Sequence, residues 1–536
     1  MPHEHAVFPQ RWHGGATPDV PMLYVPSTRA RLLGETMNAR PALWRNPWTL
    51  LGGTIAVLAF VSFVFLWVYD TLSPGPSAPY AGIVIFVVTP AIMLTGMAVA
   101  FWGWWWNWRR WRRMGGERVV PWPVIDLNDA PVRWKLAAAA VAGTAFLFLS
   151  AFGAFQAYEA TESVRFCGEL CHAVMGPEYT AYQVSPHARV ACVECHVGSG
   201  ADWYLRSKVS GLRQLYAYLT DTYHRPIPVP VHNLRPATET CQTCHWPEKQ
   251  SGYIARRYVY FLADEQNTRW ETDMELFVGG GRPGVPGSGG IHWHMQIEHT
   301  VEYVAADPER ATIPWVRTTN RFTGETTLYR SADAEREVPE SAPWREMDCM
   351  DCHNRPAHIF RSPRDLVNGA LAAGALDPTL PSLKQIAIEL LADEYATTDA
   401  ALAALGSGLR QFYAENFPEV AEQKREAIEH ATAELQRMYR ENFFPEMKVR
   451  WDAYPSHASH LFSPGCFRCH DGRHEADDGR VIRSDCNLCH VVRAQGPPER
   501  KQYAASAAGL EFEHPADVGT DWKESPCHEC HSGAAP

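Results

Sequence analysis

Fourteen cysteines fall into seven pairs, and a histidine follows the second cysteine of every pair. The sets are Cys167, Cys171 and His172; Cys192, Cys195 and His196; Cys241, Cys244 and His245; Cys349, Cys352 and His353; Cys466, Cys469 and His470; Cys486, Cys489 and His490; and Cys527, Cys530 and His531. Two thiols on one turn can add to the two vinyl groups of a porphyrin, and the next imidazole then faces the iron as proximal ligand. The first set has three residues between its cysteines instead of two and is read as the same site on a loosened turn. Paired cysteines also serve zinc and disulfides, but neither needs a histidine in that place. With 23 histidines in 536 residues, chance would put one after all seven pairs with probability on the order of 10⁻¹⁰. The expectation is a c-type cytochrome carrying seven covalent haems.

Each iron then has a sixth position to fill. Thirteen further histidines follow the last long apolar stretch: His187, His224, His232, His292, His294, His299, His358, His430, His457, His460, His474, His514 and His528. A second histidine closes an iron to substrates and suits it to electron transfer. The candidates for that role are His187, His294, His358, His460, His474 and His514, while His430, inside a helical tract, reads as a surface or packing residue. Met175 stands three residues after His172 and is a candidate ligand to the first iron, since methionine raises an iron's potential relative to histidine.

These sites must be held by something. Three apolar stretches reach the roughly twenty residues needed to cross a bilayer: Trp48 to Tyr69, Tyr80 to about Trp105, and Leu136 to Tyr158. Arg29, Arg31, Arg40 and Arg45 precede the first, and Arg109, Arg110, Arg112, Arg113, Arg118, Arg133 and Lys135 lie between the second and third, whereas residues 70–79 carry no cation. By the positive-inside rule the amino terminus is cytoplasmic and everything after Tyr158 is outside, the side on which c-type haems are attached. The leading 45 residues are too long and polar for a cleavable signal, so the first stretch is expected to remain as an anchor. Trp104, Trp105, Trp106, Trp108 and Trp111 among arginines read as an interfacial belt.

The fold class expected is mainly α with an irregular multihaem region: three amino-terminal transmembrane helices, then a periplasmic multihaem cytochrome c region with a small β-containing insertion. The divisions are 1–47, a cytoplasmic segment; 48–159, the membrane helices; 160–248, the first three haems; 249–348, the insertion, with strand-like runs Tyr258–Leu262, Val301–Val304 and Ile313–Arg317; 349–456, the fourth haem and a helical segment; and 457–536, the last three haems. Val420, Ala427, Ile428, Ala431, Leu435 and Met438 recur at helical spacing. Elsewhere little regular structure is expected, because porphyrin faces supply apolar area in place of a protein core. A net charge of -11 argues against nucleic acid and suits docking to basic redox proteins.

The run from the third apolar stretch through Phe166, Cys167, Cys171, His172 and a nearby Met, then Glu178-Tyr179, Ser185-Pro186-His187 and Cys192-Val193-Glu194-Cys195-His196-Val197, resembles the NapC/NirT (NrfH-like) family of membrane quinol dehydrogenases over about residues 140–250. The remainder, with Cys241-Gln242-Thr243-Cys244-His245-Trp246-Pro247, His353-Asn354-Arg355-Pro356 and Gly465-Cys466-Phe467-Arg468-Cys469-His470, resembles the longer seven-haem inner-membrane cytochromes of bacterial extracellular electron transfer. The resemblance implies oxidation of menaquinol or ubiquinol beside the first haem, with a lysine and an acid nearby. The lysine falls on Lys208, and Glu178, Asp202 and Asp221 are candidate acids. The implied partners are the membrane quinone pool and periplasmic c-type cytochromes or a reductase, with oligomer formation possible. Two other readings stay open: a terminal reductase with one haem left five-coordinate, and an anchor subunit that only relays electrons.

Overall fold

The structure, a computed structural model, describes residues 43–534 apart from 73–87, 114–125, 170–171, 198–200, 232–233, 247–248, 250, 281–288, 336–340 and 524. The chain divides into two compact units, Met1–Ala139 and Ala140–Pro536.

In the first unit, helices α1 (Pro47–Leu72) and α2 (Thr89–Arg113) pack along each other. Glycine makes the approach possible: a methyl group at Gly52 would lie 2.3 Å from the Ala100 nitrogen, and one at Gly96 would lie 2.7 Å from that of Ala56. Close backbones bring polar groups within reach, and Asn46 donates to the Gly103 carbonyl at 3.2 Å while Thr49 donates to that of Ala100 at 3.2 Å. At the far end of α2, Arg109 stacks on Trp105 and Arg112 on Trp108, at 3.9 and 4.1 Å, the pattern expected of a belt at a polar boundary. The expectation of three spans is corrected here. Among the described residues one helix is long and apolar enough to cross a membrane, Pro47–Val68, with mean hydropathy 2.3. The second expected stretch starts in residues outside those described, and its helix runs on into four arginines. The third lies within α3 (Ala130–Glu162), where the side chains of 146–151, 154, 155 and 157 fall outside the described residues.

The second unit opens with short helices that carry the first three motifs: α4 (Val164–Glu169), α5 (His172–Gln183), α6 (Cys192–His196), α7 (Ala201–Leu219) and α8 (Ala237–Cys241). Then come β1 (Tyr253–Phe261), β2 (Arg269–Phe277), a 3₁₀ turn at Ile291–Met295, β3 (His299–Val304), β4 (Trp315–Asn320), β5 (Thr326–Arg330) and β6 (Arg345–Glu346); the run Val301–Val304 lies within β3, while Tyr258–Leu262 and Ile313–Arg317 overlap β1 and β4 with Leu262, Ile313 and Pro314 outside them. After α9 (Cys349–Cys352) follow α10 (Pro363–Ala373), α11 (Leu383–Ala392), α12 (Thr398–Asn416), α13 (Pro418–Gln423) and α14 (Arg425–Asn442). The carboxy-terminal part has β7 (Glu475–Ala476), β8 (His490–Gly496), β9 (Gln502–Tyr503) and α15 (Cys527–Cys530).

The antiparallel sheets have orders β1-β2-β8-β9 and β6-β3-β4-β5-β7. Each is therefore completed by strands from beyond residue 470. The stretch 249–348 does not close on itself, because its edges are paired by the segment bearing the last haem motifs.

Helices α10 to α14 build a core of their own. Ser362 caps α10 by accepting from the Asp365 nitrogen, Pro363 occupies the first turn and Gly374 ends the helix at φ 74°, each residue suited to its place. The α14 periodicity buries Ile428, Ala431, Leu435, Met438 and Tyr439 against Leu383, Ile388, Leu405, Leu409 and Tyr413. Val420 lies on α13 and packs against the same core. This segment needs no porphyrin: each buried large apolar side chain contributes about 1.5–3 kcal/mol, which corrects the view that haems alone form the core.

Candidate functional site

Each described motif is wound into one turn. The backbone nitrogens of His245, His353, His470 and His531 donate to the carbonyls of Cys241, Cys349, Cys466 and Cys527 at 2.8–2.9 Å, and α6 holds Cys192 to His196 in the same way. One turn thus puts two thiols and one imidazole on the same side. Cys171 lies outside the described residues, as does the His172 side chain.

Tertiary folding then brings a second histidine opposite each of the six other motif histidines. The ring centroids are 6.2 Å apart for His196 and His358, 6.2 Å for His245 and His187, and 6.4 Å for His353 and His292. They are 5.8 Å apart for His470 and His294, 6.2 Å for His490 and His460, and 6.0 Å for His531 and His514. Such gaps fit one metal ion between two imidazoles: metal–nitrogen bonds of about 2.0 Å on both sides put the ring centres roughly 6.3 Å apart.

The outer nitrogens fit the same arrangement. Nδ1 of His187, His292, His294, His358, His470 and His514 lies 2.7–3.1 Å from the carbonyls of Pro356, Val278, Ile291, Glu178, Arg483 and Ala516 respectively. A carbonyl only accepts, so Nδ1 carries the proton and Nε2 keeps its lone pair for a metal. Burial pushes the imidazoles of His196, His353, His358, His460, His470 and His490 below their usual value, and those of His294 and His531 down to about 4. They are thus neutral at pH 7. Buried polar atoms without partners, such as Nε of Arg235 and Arg364, suit a prosthetic group bearing carboxylates.

Five of the six histidines expected as distal ligands stand in these pairs. The sixth, His474, is a correction: its Nδ1 bonds Asp471 at 2.9 Å and its Nε2 lies 2.8 Å from the Ile313 carbonyl, which leaves no nitrogen for iron. His292 holds the place instead. It shares one 3₁₀ turn with His294, and Trp293 between them packs on His299 with centroids 4.4 Å apart. A His-x-His pair on so tight a turn points its two rings at different motifs, the fourth and the fifth; that spacing was the signal available in the sequence. Met175 is half-buried on α5, one turn after His172.

The motifs also stand in a row. The Cys167 thiol meets that of Cys192, and Cys241 meets Cys349. Cys195 lies near Cys244, Cys352 near Cys466, Cys466 near Cys489, and Cys486 near Cys527. Among the described residues, each of these neighbours joins motifs consecutive in the sequence.

Side chains inside the motifs lock the row. Asp351, 1 % exposed, accepts from Tyr303 (2.7 Å), Arg310 (2.6 Å), Arg345 (2.8 Å) and its own N-cap nitrogen. Arg468 of the fifth motif donates to the Asp351 carbonyl at 2.7 Å. Arg355 grips both Glu178 oxygens, at 2.9 and 3.1 Å, which ties the tail of the fourth motif to α5.

Beside the first motif, Lys208 on α7 pairs with Glu162 at 2.7 Å. The Glu162 side chain is 9 % exposed and its second oxygen is buried without a hydrogen-bond partner. Both charges act on the Cys167 thiol. Of the acids expected near Lys208, Glu178 is held by Arg355 and Asp221 by Arg225, and the Asp202 side chain lies outside the described residues.

Residues 130–233 match the model of the NapC/NirT cytochrome c family, N-terminal region. Over 498 residues the chain is 41% identical to the cytochrome c-type protein ImcH of Geobacter sulfurreducens, a match that covers 92% of this chain and 96% of that one. No solved structure matches. Identity at this level over nearly the whole of both chains shows the family, and the chain belongs to the NapC/NirT cytochrome c family as a long, multihaem member.

Proposed function

We propose that this protein oxidises a membrane quinol beside its first haem and sends the electrons along seven haems, in sequence order, to a soluble one-electron acceptor outside the cytoplasmic membrane. The observation that carries the reading is the Lys208–Glu162 pair at Cys167, which sits on the segment leaving α3. Lys208 can donate to a quinol oxygen, and the unpartnered Glu162 oxygen can accept the hydroxyl proton as the electron leaves. Bound haem supplies the one-electron redox chemistry; the chain positions, shields and tunes it. Six histidine pairs support closed irons that pass electrons on, which weighs against the terminal-reductase reading. His172 or Met175 would hold the first iron. The arginine-rich flanks of the apolar helices support a haem region on the outer face. The acceptor class, a periplasmic cytochrome or reductase, follows from the chain's acidic balance.

The test uses the full chain in lipid nanodiscs given a reduced menaquinone analogue. Haem reduction is expected to be at least tenfold slower in Glu162→Gln and in Lys208→Met, with haem content unchanged. Wild-type rates in both variants would remove the site, and a wild-type protein that the quinol cannot reduce would leave only the relay-subunit reading.

A further inference from the structure

The outer nitrogen of His531 is treated unlike those of the paired histidines that face carbonyls. Its Nδ1 lies 2.7 Å from Nη1 of Arg364, so a guanidinium charge and not a carbonyl stands behind the ring. Arg364 sits in the first turn of α10, its backbone nitrogen bound to the Gly533 carbonyl at 3.2 Å, so the helical segment delivers it to the last motif. A second cation stands behind it: Lys384 of α11 is 3 % exposed and donates to the Phe261 carbonyl. Among the described residues neither cation has a carboxylate within ion-pair distance. Asp365 and Asp264 are the acids in electrostatic range, and burial pushes the Asp365 carboxyl up, toward its neutral form. At the first motif the balance differs, since the Glu162 charge acts on the Cys167 thiol ahead of that of its partner Lys208.

We propose that Arg364, reinforced by Lys384, sets the potential of the seventh haem and makes it the place where electrons collect at the far end of the row. A buried positive charge beside an axial ligand favours the iron state with one positive charge fewer, the reduced one, and so raises its potential. The electron that the sixth iron loses is the one the seventh gains; no bond is made or broken. The idea rests on the proposed direction of flow, with entry beside an acid and exit beside a half-buried and a buried cation. Arg364 acts through His531 as a positioning residue.

The test is a mediated spectroelectrochemical titration of the full chain, which needs no quinol and therefore stands or falls separately from quinol oxidation. In Arg364→Gln, one of the seven components is expected to show at least a tenfold lower reduced-to-oxidised ratio at fixed potential, about 59 mV for a one-electron couple. The other six should stay in place. The component that moves should be the one that His514→Met moves upward, since methionine raises potential. Arg364→Lys should recover most of the shift, and Lys384→Gln should show a smaller one in the same direction. The proposal is overturned by an upward or absent shift, by movement of a different component, or by a lysine variant as low as the glutamine one. Should Arg364→Gln lose its seventh haem, an unshifted Lys384→Gln curve overturns it instead.

Discussion

At the residue scale, a bare Nε2 opposite a motif histidine separates a ligand from a histidine that is merely buried. His292 has it: Nδ1 is spent on the Val278 carbonyl and the ring faces His353. His474 lacks it, being held by Asp471 and the Ile313 carbonyl. His292→Ala is therefore expected to open one iron and produce a high-spin signal for about one haem of the seven. His474→Ala should leave every haem low-spin while lowering stability by about 1–3 kcal/mol, the cost of orphaning buried hydrogen-bond groups. Magnetic circular dichroism of the two variants checks both, and a high-spin signal from the second alone would reverse the assignment.

At the scale of elements, polar clasps keep the motif turns in register. Asp351 holds three donors from β3, the loop after it and β6, and at 1 % exposure the carboxylate itself has no water to fall back on. Asp351→Ala strands two arginines and is expected to cost roughly 3–5 kcal/mol, read as a fall in thermal midpoint at unchanged haem content. A second clasp makes the β1-β2-β8-β9 sheet acid-sensitive. Lys501, 5 % exposed, bonds Glu271 at 2.7 Å and Asp273 at 3.0 Å. Its hydrogen bond holds Glu271 below the ordinary carboxylate range, and Arg257 first, then Lys501, does so for Asp273. A carboxylate depressed by folding adds stability above its unfolded value and loses it as pH falls through the folded one. Stability from this clasp should be constant above the ordinary carboxylate range and decline as pH falls below it. Lys501→Met removes the partner, so its acid transition should begin at higher pH; an unmoved midpoint in acid titration followed by circular dichroism would refute the clasp.

At the scale of the whole molecule, the histidine pairs are interlocked. His187, which precedes the second motif, faces the third; His358, which follows the fourth, faces the second; and His292 and His294 from the β-rich stretch face the fourth and fifth. Strands from beyond residue 470 finish both sheets. No haem cluster can form without segments from its neighbours, so the row is expected to be unbranched. Replacing Cys349 and Cys352 together with alanine removes the fourth site. Quinol analogue should then reduce about three haems quickly and leave the remaining three behind. Equal rates for all six in stopped-flow, with intact mass confirming six additions, would mean the row branches.

The motif turns were legible in the chain because five consecutive residues contain the thiols and the imidazole together, and α14 was legible from its own spacing. The long apolar stretches were visible too, although length and apolarity sustain one crossing among the described residues, not three. Distal partners, the acid beside Lys208 and the closing strands lie tens to hundreds of residues from what they touch: Glu162 and Lys208 are 46 positions apart, His358 and Glu178 are 180. Local sequence specifies short-range geometry through backbone turns and side-chain period. Which distant histidine meets which iron depends on packing that forms only when the whole chain has folded.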